Sequence, residues 1–244
     1  CRNNGAVFSH YYRLSCFSHM DAAIDVLMRL LIVNPNTSET TNQRLRHAAI
    51  SLLDQNDDLE VISAPSGVSL IETPKQSAET VPYVVSLIET MSDKFDAVII
   101  AAFSDPGLHE ARKIAACPVL GISEAAMQKA ATHGPFAIVT LGAELKQEII
   151  RNAEIYGYSD LLAEVRILPW SVAEVSSNLD KYRGDFRSAC QSLVDEKHVS
   201  AIIIGGGPLT GIASAIGTEL SIPIYDGVQS AVSLAKSPLY EDKN

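Results

Sequence analysis

The chain is short of positive charge, of cysteine and of long apolar runs, and each shortage closes a class of function. Its 244 residues carry 19 Lys and Arg against 29 Asp and Glu, a formal net charge of −10, and the sequence pI is near 5.0. Nucleic acid and anionic membrane surfaces select clustered Lys and Arg, so neither is expected as a partner. No apolar run approaches the ~20 residues that cross a bilayer. The four cysteines, Cys1, Cys16, Cys117 and Cys190, have no Cys-x-x-Cys spacing. That removes the usual mark of a zinc site or a redox pair, and no metal is expected. A chain this long buries its own core without a disulfide scaffold, and scattered reduced thiols point to the cytoplasm.

Residues 1–27 lack an initiating Met and a clear period. They also lack the continuous apolar core of ~7–15 residues that a secretory signal needs. The segment is read as a leader or disordered extension, with Met20 or Met28 as a sensible native start.

What the sequence does have is a stretch that occurs twice. Asp96-Ala97-Val98-Ile99-Ile100-Ala101-Ala102-Phe103-Ser104-Asp105-Pro106-Gly107-Leu108 is matched by Ser200-Ala201-Ile202-Ile203-Ile204-Gly205-Gly206-Gly207-Pro208-Leu209-Thr210-Gly211-Ile212. Each copy reads as a buried strand, a turn of small residues and a helix, followed by a second strand opened by Pro118 or Pro223. Around them, short Val- and Ile-rich runs alternate with helical patterns from Arg29 onward. Strands are expected at 30–33, 59–64, 97–101, 119–122, 136–141, 165–168, 201–204 and 222–225. Helices are expected at 39–53, 77–92, 108–115, 124–132, 144–156, 181–196, 209–220 and 228–235. The strands do not alternate apolar with polar, which suggests burial on both faces of a parallel sheet. The fold class is therefore α/β, with two pseudo-symmetric Rossmann-like lobes, mainly parallel sheets and a cleft between them. The first lobe is placed at 28–124 plus 228–244 and the second at 125–227.

Ligands of such sheets bind beyond the carboxyl ends of the strands. Val33 runs into Asn34-Pro35-Asn36-Thr37-Ser38, and Ala101 into Ala102-Phe103-Ser104-Asp105-Pro106-Gly107. Val139 runs into Thr140-Leu141-Gly142, and Ile204 into Gly205-Gly206-Gly207-Pro208. Each is either an ordinary tight turn, with Ser38 or Thr37 a helix cap, or a nest for a carboxylate or imide-like oxygen. None has the glycine spacing of a dinucleotide or Walker loop.

Ile32-Val33-Asn34-Pro35-Asn36-Thr37-Ser38, Ala102-Phe103-Ser104-Asp105-Pro106-Gly107-Leu108 and Gly121-Ile122-Ser123-Glu124-Ala125-Ala126-Met127 together resemble the aspartate/glutamate/hydantoin racemase superfamily, nearest its hydantoin and allantoin racemase branch. The resemblance runs from about Arg29 to Ala235. It implies a cofactor-free active site between two lobes, a small carboxylate or cyclic ureide as ligand, and a homo-oligomer. It also implies two cysteines, one removing an α-proton from one face while the other returns it to the opposite face. A thiol suits that work because its pKa of ~8.5 is lowered at a helix N-terminus. Those positions hold Ala102 and Gly206 here. Losing a positioned acid or base costs ~100- to 10,000-fold, so two-thiol racemisation is expected to be absent.

The remaining cysteines do not restore the pair: Cys117 opens a strand at the wrong end, and Cys190 sits inside an amphipathic helix. Glu124 is the candidate acid or base at the cleft, with helix N-terminal charge placement as its other reading. Glu72 lies in a loop that the resemblance folds over the ligand, or is a solvated loop acid. Asp105 before Pro106 reads as a turn former, Asp226 as a group that fixes backbone N–H donors, and His109 as a surface histidine or an acid/base. Expected ligand contacts are Pro35, Asn36, Glu72, Phe103, Ser104, Thr140, Leu141, Gly206, Gly207 and Pro208. The function expected is that of a racemase-like protein with its two-thiol chemistry lost or altered. The alternatives are a non-catalytic binding or regulatory protein, and a racemase whose catalytic cysteine was replaced by mutation.

Overall fold

The computed structural model describes residues 27–237. The leader assigned to 1–27 lies outside the described residues apart from Leu27, as do the residues beyond 237.

The first part of the chain forms β1 (Arg29–Asn34), α1 (Glu39–Ile50), β2 (Asp58–Ser63) and α2 (Pro74–Met91). It continues with β3 (Ala97–Ile100), α3 (Leu108–Arg112), β4 (Val119–Gly121) and α4 (Ile122–Ala131). The second part repeats the plan with β5 (Phe136–Thr140), α5 (Lys146–Ile155), β6 (Leu162–Ile167), α6 (Val172–Ser177) and α7 (Leu179–Lys197). It closes with β7 (Ala201–Ile204), α8 (Ile212–Ile216), β8 (Ile224–Asp226) and α9 (Gly227–Ala235). The strands make two four-stranded sheets, ordered β2-β1-β3-β4 and β6-β5-β7-β8. Every pairing within them is parallel. The two halves thus share one strand order, as the duplicated stretch implies.

Burial on both faces follows from which residues alternate. Leu30, Ile32, Ala97 and Ile99 share one core with Phe136, Ile138, Ala201 and Ile203 of the other sheet. Their neighbours Leu31, Val33, Val98 and Ile100 pack in a second core with Val84 and Ile88 of α2. Ala137, Val139, Ile202 and Ile204 pack in a third core with Phe186, Cys190 and Leu193 of α7. The central strands therefore need an apolar residue at every position. The edge strands β2 and β6 are half-exposed and β8 is partly so, whereas the edge strand β4 is buried, so the double burial expected of the strands fails at β2, β6 and part of β8. The halves are also stitched by their last helices: α4 lies against β7, and α9 against β3, β4 and α1.

Two expected helices differ, and one helix was not expected. The helix expected over 209–220 is broken into a 3₁₀ turn at Gly207–Leu209, α8, and another 3₁₀ turn at Gly217–Glu219. Pro208 and Gly211, at φ +103°, interrupt it. The helix expected at 108–115 ends at Arg112. Helix α6 was not expected, although Ser171 and Glu174 form its capping box, with reciprocal side-chain bonds to the backbone.

Candidate active site

The carboxyl ends of β1, β3, β5 and β7 open onto one cavity of about 550 Å³, its open mouth included. Asn36, Ala102, Phe103 and Ser104 supply the wall from the first half. Thr140, Leu141, Gly206, Gly207 and Pro208 supply the wall from the second. Ala102 and Gly206, the positions to which the resemblance assigns thiols, thus line the same space. Ile71 and Val172 complete it from the loop before α2 and the start of α6.

Close backbone approach explains the glycine run. A Cβ on Gly207 would lie 2.7 Å from the Ala101 carbonyl oxygen, and one on Gly205 would lie 2.7–2.9 Å from the Phe103 ring. The two turns therefore touch backbone to backbone and backbone to ring. Gly206 itself sits at φ +131°, ψ 128°, outside the region that side-chain-bearing residues adopt. Thr140 donates its hydroxyl proton to the Gly205 carbonyl at 2.6 Å, tying the β5 exit to the β7 exit.

Polar groups from β1 are held in a network. The Asn34 amide donates to Asn36 Oδ1 at 3.1 Å and to Asn42 Oδ1 at 2.9 Å, and Asn36 Oδ1 also accepts from the Ser38 N–H at 2.9 Å. Asn36 is nearly buried, and its amide N–H groups donate to nothing among the described residues. Pro35 fixes this turn but does not line the cavity. The Ser38 hydroxyl accepts from the Thr41 N–H as the cap of α1.

Among the described residues, no side chain that lines the cavity is an acid, a base or a thiol. Glu124 is not in its wall. Its first-turn position on α4 directs the carboxylate to a second cavity, where Arg112 Nη1 donates to Oε1 at 3.1 Å in a paired ion contact. Glu72 is also outside the wall, although Ile71 beside it lines the cavity; its Oε1 accepts from the Val172 N–H at 3.2 Å. Arg44 of α1 holds the other end of α6, donating to the Ser176 carbonyl at 2.6 Å, to the Ser176 hydroxyl at 2.9 Å and to the Pro208 carbonyl at 3.0 Å. His109 is exposed on the second cavity. Burial pushes the Cys117 thiol up to about 11 and the Cys190 thiol up to about 12, so both stay protonated near neutrality.

Asp105 does more than form a turn. It is buried at φ +47°, and its carboxylate accepts from the Ser123 and Glu124 N–H groups at 3.0 and 2.9 Å and from the Tyr156 hydroxyl at 2.8 Å. Burial pushes the carboxyl up to about 7 against those three donors. The same burial, with the Asp105 charge behind it, drives the Tyr156 hydroxyl far above its ordinary value. Asp226 fixes the Val228 and Gln229 N–H groups at 2.9 and 3.1 Å, in the role expected of it.

The sequence reading missed one face of α5. Glu148, Asn152 and the helix-capping Tyr156 recur at four-residue spacing; Asn152 and Tyr156 meet the β3 exit turn directly, and Glu148 reaches it through Ser77. Asn152 donates to the Ser104 carbonyl at 3.0 Å, Tyr156 donates to Asp105, and Glu148 reaches Ser77, which bonds Ser104. A polar stripe on a helix face that ought to be buried is the signal that would have found them.

Two parallel α/β sheets with equal strand order meet at a cleft on their carboxyl ends. Residues 30–235 match the Asp/Glu/Hydantoin racemase family, and the chain belongs to it. It is similar to the hydantoin racemase of Pseudomonas sp. (strain NS671), 27% identical over 212 residues, covering 86% of this chain and 85% of that one. Among solved structures it resembles the allantoin racemase from Klebsiella pneumoniae, with TM-score 0.82, 28% identity and 87% of each chain covered. Glutamate racemase from Francisella tularensis shares the fold at TM-score 0.63 and 16% identity, covering 88% of this chain and 82% of that one.

Proposed function

We propose that the cleft takes a compact cyclic ureide or small carboxylate without a cofactor, and that the two-thiol racemisation implied by the family resemblance is lost or altered. One observation carries this reading: the turns at Ala102 and Gly206 line one cavity whose wall, among the described residues, holds no titratable side chain. The Asn36 amide and the Ser104 and Thr140 hydroxyls suit the carbonyl and N–H edges of a small planar ring, with Phe103, Leu141 and Val172 as apolar faces. The relatives named hydantoin racemase and allantoin racemase support the same ligand class. The same absence of acids and bases favours a second reading, a binding protein that turns nothing over.

We take the halves as lobes at 28–124 with the C-terminal helix and at 125–227, in a homo-oligomer working in the reducing cytoplasm. No described helix is long and apolar enough to cross a membrane.

Calorimetric titration with allantoin and 5-methylhydantoin tests the ligand class, and absence of heat with every ureide and malonate tried would overturn it. Polarimetry of an enantiopure hydantoin tests the chemistry. The expected rotation decays no faster than in buffer, and iodoacetamide changes nothing.

A further inference from the structure

We propose that Ser104, Ser77 and Glu148 form a proton-transfer chain that exchanges one carbon-bound hydrogen of the ligand with solvent, on a single face of the cleft. The inference rests on the ligand reading above and adds a residue-level activity to it.

Ser104 is the shared wall of two cavities. It lines the cleft beside Ala102, and it lines a second cavity of about 1200 Å³, open mouth included, on the far side of the β3 exit turn. Ser77 and Glu148 line only the second. Ser77 is 1% exposed, and its hydroxyl lies 2.7 Å from Ser104 Oγ and 3.3 Å from Glu148 Oε1. It carries one proton and can serve only one of them at a time, so the three groups are an ordered wire. The wire starts at the cleft and ends at a carboxylate that lines the second, open cavity.

The terminal carboxylate is set up to receive a proton. Glu148 Oε2 is shielded from solvent and has no hydrogen-bond partner among the described residues, which makes the charged form costly. Burial raises the Glu148 carboxyl above its ordinary range, the Ser77 bond and nearby Arg151 pulling the other way. Asn152, one turn further along α5, clamps the Ser104 carbonyl at 3.0 Å and fixes the hydroxyl's origin.

The step balances without an oxidant or a cofactor. The ligand's C–H bond breaks and its proton passes to Ser104 Oγ, while the Ser104 proton passes to Ser77 and the Ser77 proton to Glu148 Oε1. The electron pair stays on the ligand, delocalised onto the neighbouring carbonyl. Glu148 then trades its proton with water in the second cavity, and the chain runs backwards to the same face. The result is hydrogen exchange with retained configuration, because the opposite turn, at Gly206, offers no group to serve the other face. Ser104 is the catalytic residue of this scheme; Ser77 and Glu148 act through it.

The test uses the whole protein in D₂O with enantiopure 5-methylhydantoin, followed by proton NMR, polarimetry and calorimetry. The C5 proton signal should decay faster than in the protein-free blank while the rotation keeps the blank's rate. Ser104→Ala should slow exchange about 100-fold, the typical worth of a positioned base. Glu148→Gln should slow it comparably with the dissociation constant moved less than threefold, a split that a merely structural role would not give. Ser77→Ala should act like Glu148→Gln, and folding of each variant is checked by thermal melting. Exchange at the wild-type rate in Ser104→Ala or Glu148→Gln overturns the chain. Ligand binding by the wild type without exchange also overturns it and leaves the ligand reading standing, whereas absence of binding overturns the ligand reading itself.

Discussion

The two halves solve one electrostatic problem from opposite sides. Each sheet's last strand runs straight into a helix, α4 or α9, whose N-terminus is buried between the halves and needs an acceptor. In the second half the acceptor is Asp226, the last residue of β8, which caps its own helix and reaches back 3.3 Å to the Gly211 N–H. In the first half the equivalent strand end is Gly121, and the carboxylate comes from Asp105 in the preceding turn. A Cβ on Gly121 would lie 2.3–2.5 Å from that carboxylate. The backbones at the two positions nearly coincide, with φ −95° and ψ 142° at Gly121 against φ −99° and ψ 138° at Asp226. The two halves keep a carboxyl acceptor at the helix N-terminus and differ in the residue that supplies it.

The largest expected consequence is a pH dependence carried by Asp105 of the first half; burial also raises the Asp226 carboxyl of the second. Burial pushes the Asp105 carboxyl up to about 7 in the folded chain, against 3.8 for an ordinary aspartate. The folded protein then holds this proton longer than the unfolded chain does, so stability falls as pH rises between those values. At 1.36 kcal/mol per unit over about 3 units, the contribution lost between pH 4 and 7 is about 4 kcal/mol. Asp105→Asn should therefore flatten the slope of urea-unfolding free energy over that window, at the cost of one N–H acceptor. An unchanged slope would mean that the three donors outweigh burial and the carboxyl is ionised throughout.

Next in size is steric. Gly121→Ala should destabilise by about 3 kcal/mol, because the methyl displaces a buried cap instead of a flexible side-chain tip. The sharper variant swaps the residues. Asp105→Gly with Gly121→Asp places glycine where φ is +47° and aspartate where the backbone already matches Asp226. The double variant should recover most of the loss by chemical denaturation, and a swap no more stable than Gly121→Ala alone would break the equivalence of the halves.

These positions also show what the sequence could disclose. The repeat, the strand exits and the small-residue turns were legible because local pattern determines them: buried parallel strands need apolar runs, and tight approaches need glycine. The cavity wall at Asn36, Ser104, Thr140 and Gly206 followed, since strand exits of a duplicated fold converge. Glu124 misled because following a strand end suggests the cleft, whereas its place on the first turn of α4 turns it toward Arg112. Asp105 looked like a turn residue because its acceptor role is fulfilled 18 positions away. The Ser77–Glu148 contact spans 71 positions, and no local pattern announces such a distance. What stayed hidden was long-range pairing of polar side chains.

The smallest expected effect concerns the two cleft turns themselves. Ala102 is not among the described residues with positive φ, so Ala102→Cys adds one sulfur without backbone strain. Gly206→Cys must hold a side chain at φ +131°, although the nearest atoms to its Cβ, on Leu209, stand off at 3.5 Å. The barrier there is conformational, not steric crowding, and Gly206→Cys should be the less stable of the two variants by about 1–3 kcal/mol in urea titration. The thiols should differ as well. Both would face the cleft, so both should react with iodoacetamide, unlike the wild type's buried Cys190. If the turns keep their places, the double variant should bring back some loss of optical rotation with an enantiopure hydantoin, and each single variant less, because inversion needs a proton delivered to the opposite face. Equal stability of the two single variants would show that the glycine turn relaxes freely and that Gly206 is not held by its backbone. A double variant that binds the hydantoin, reacts at both thiols and leaves the rotation unchanged would show that the two turns no longer face one ligand carbon.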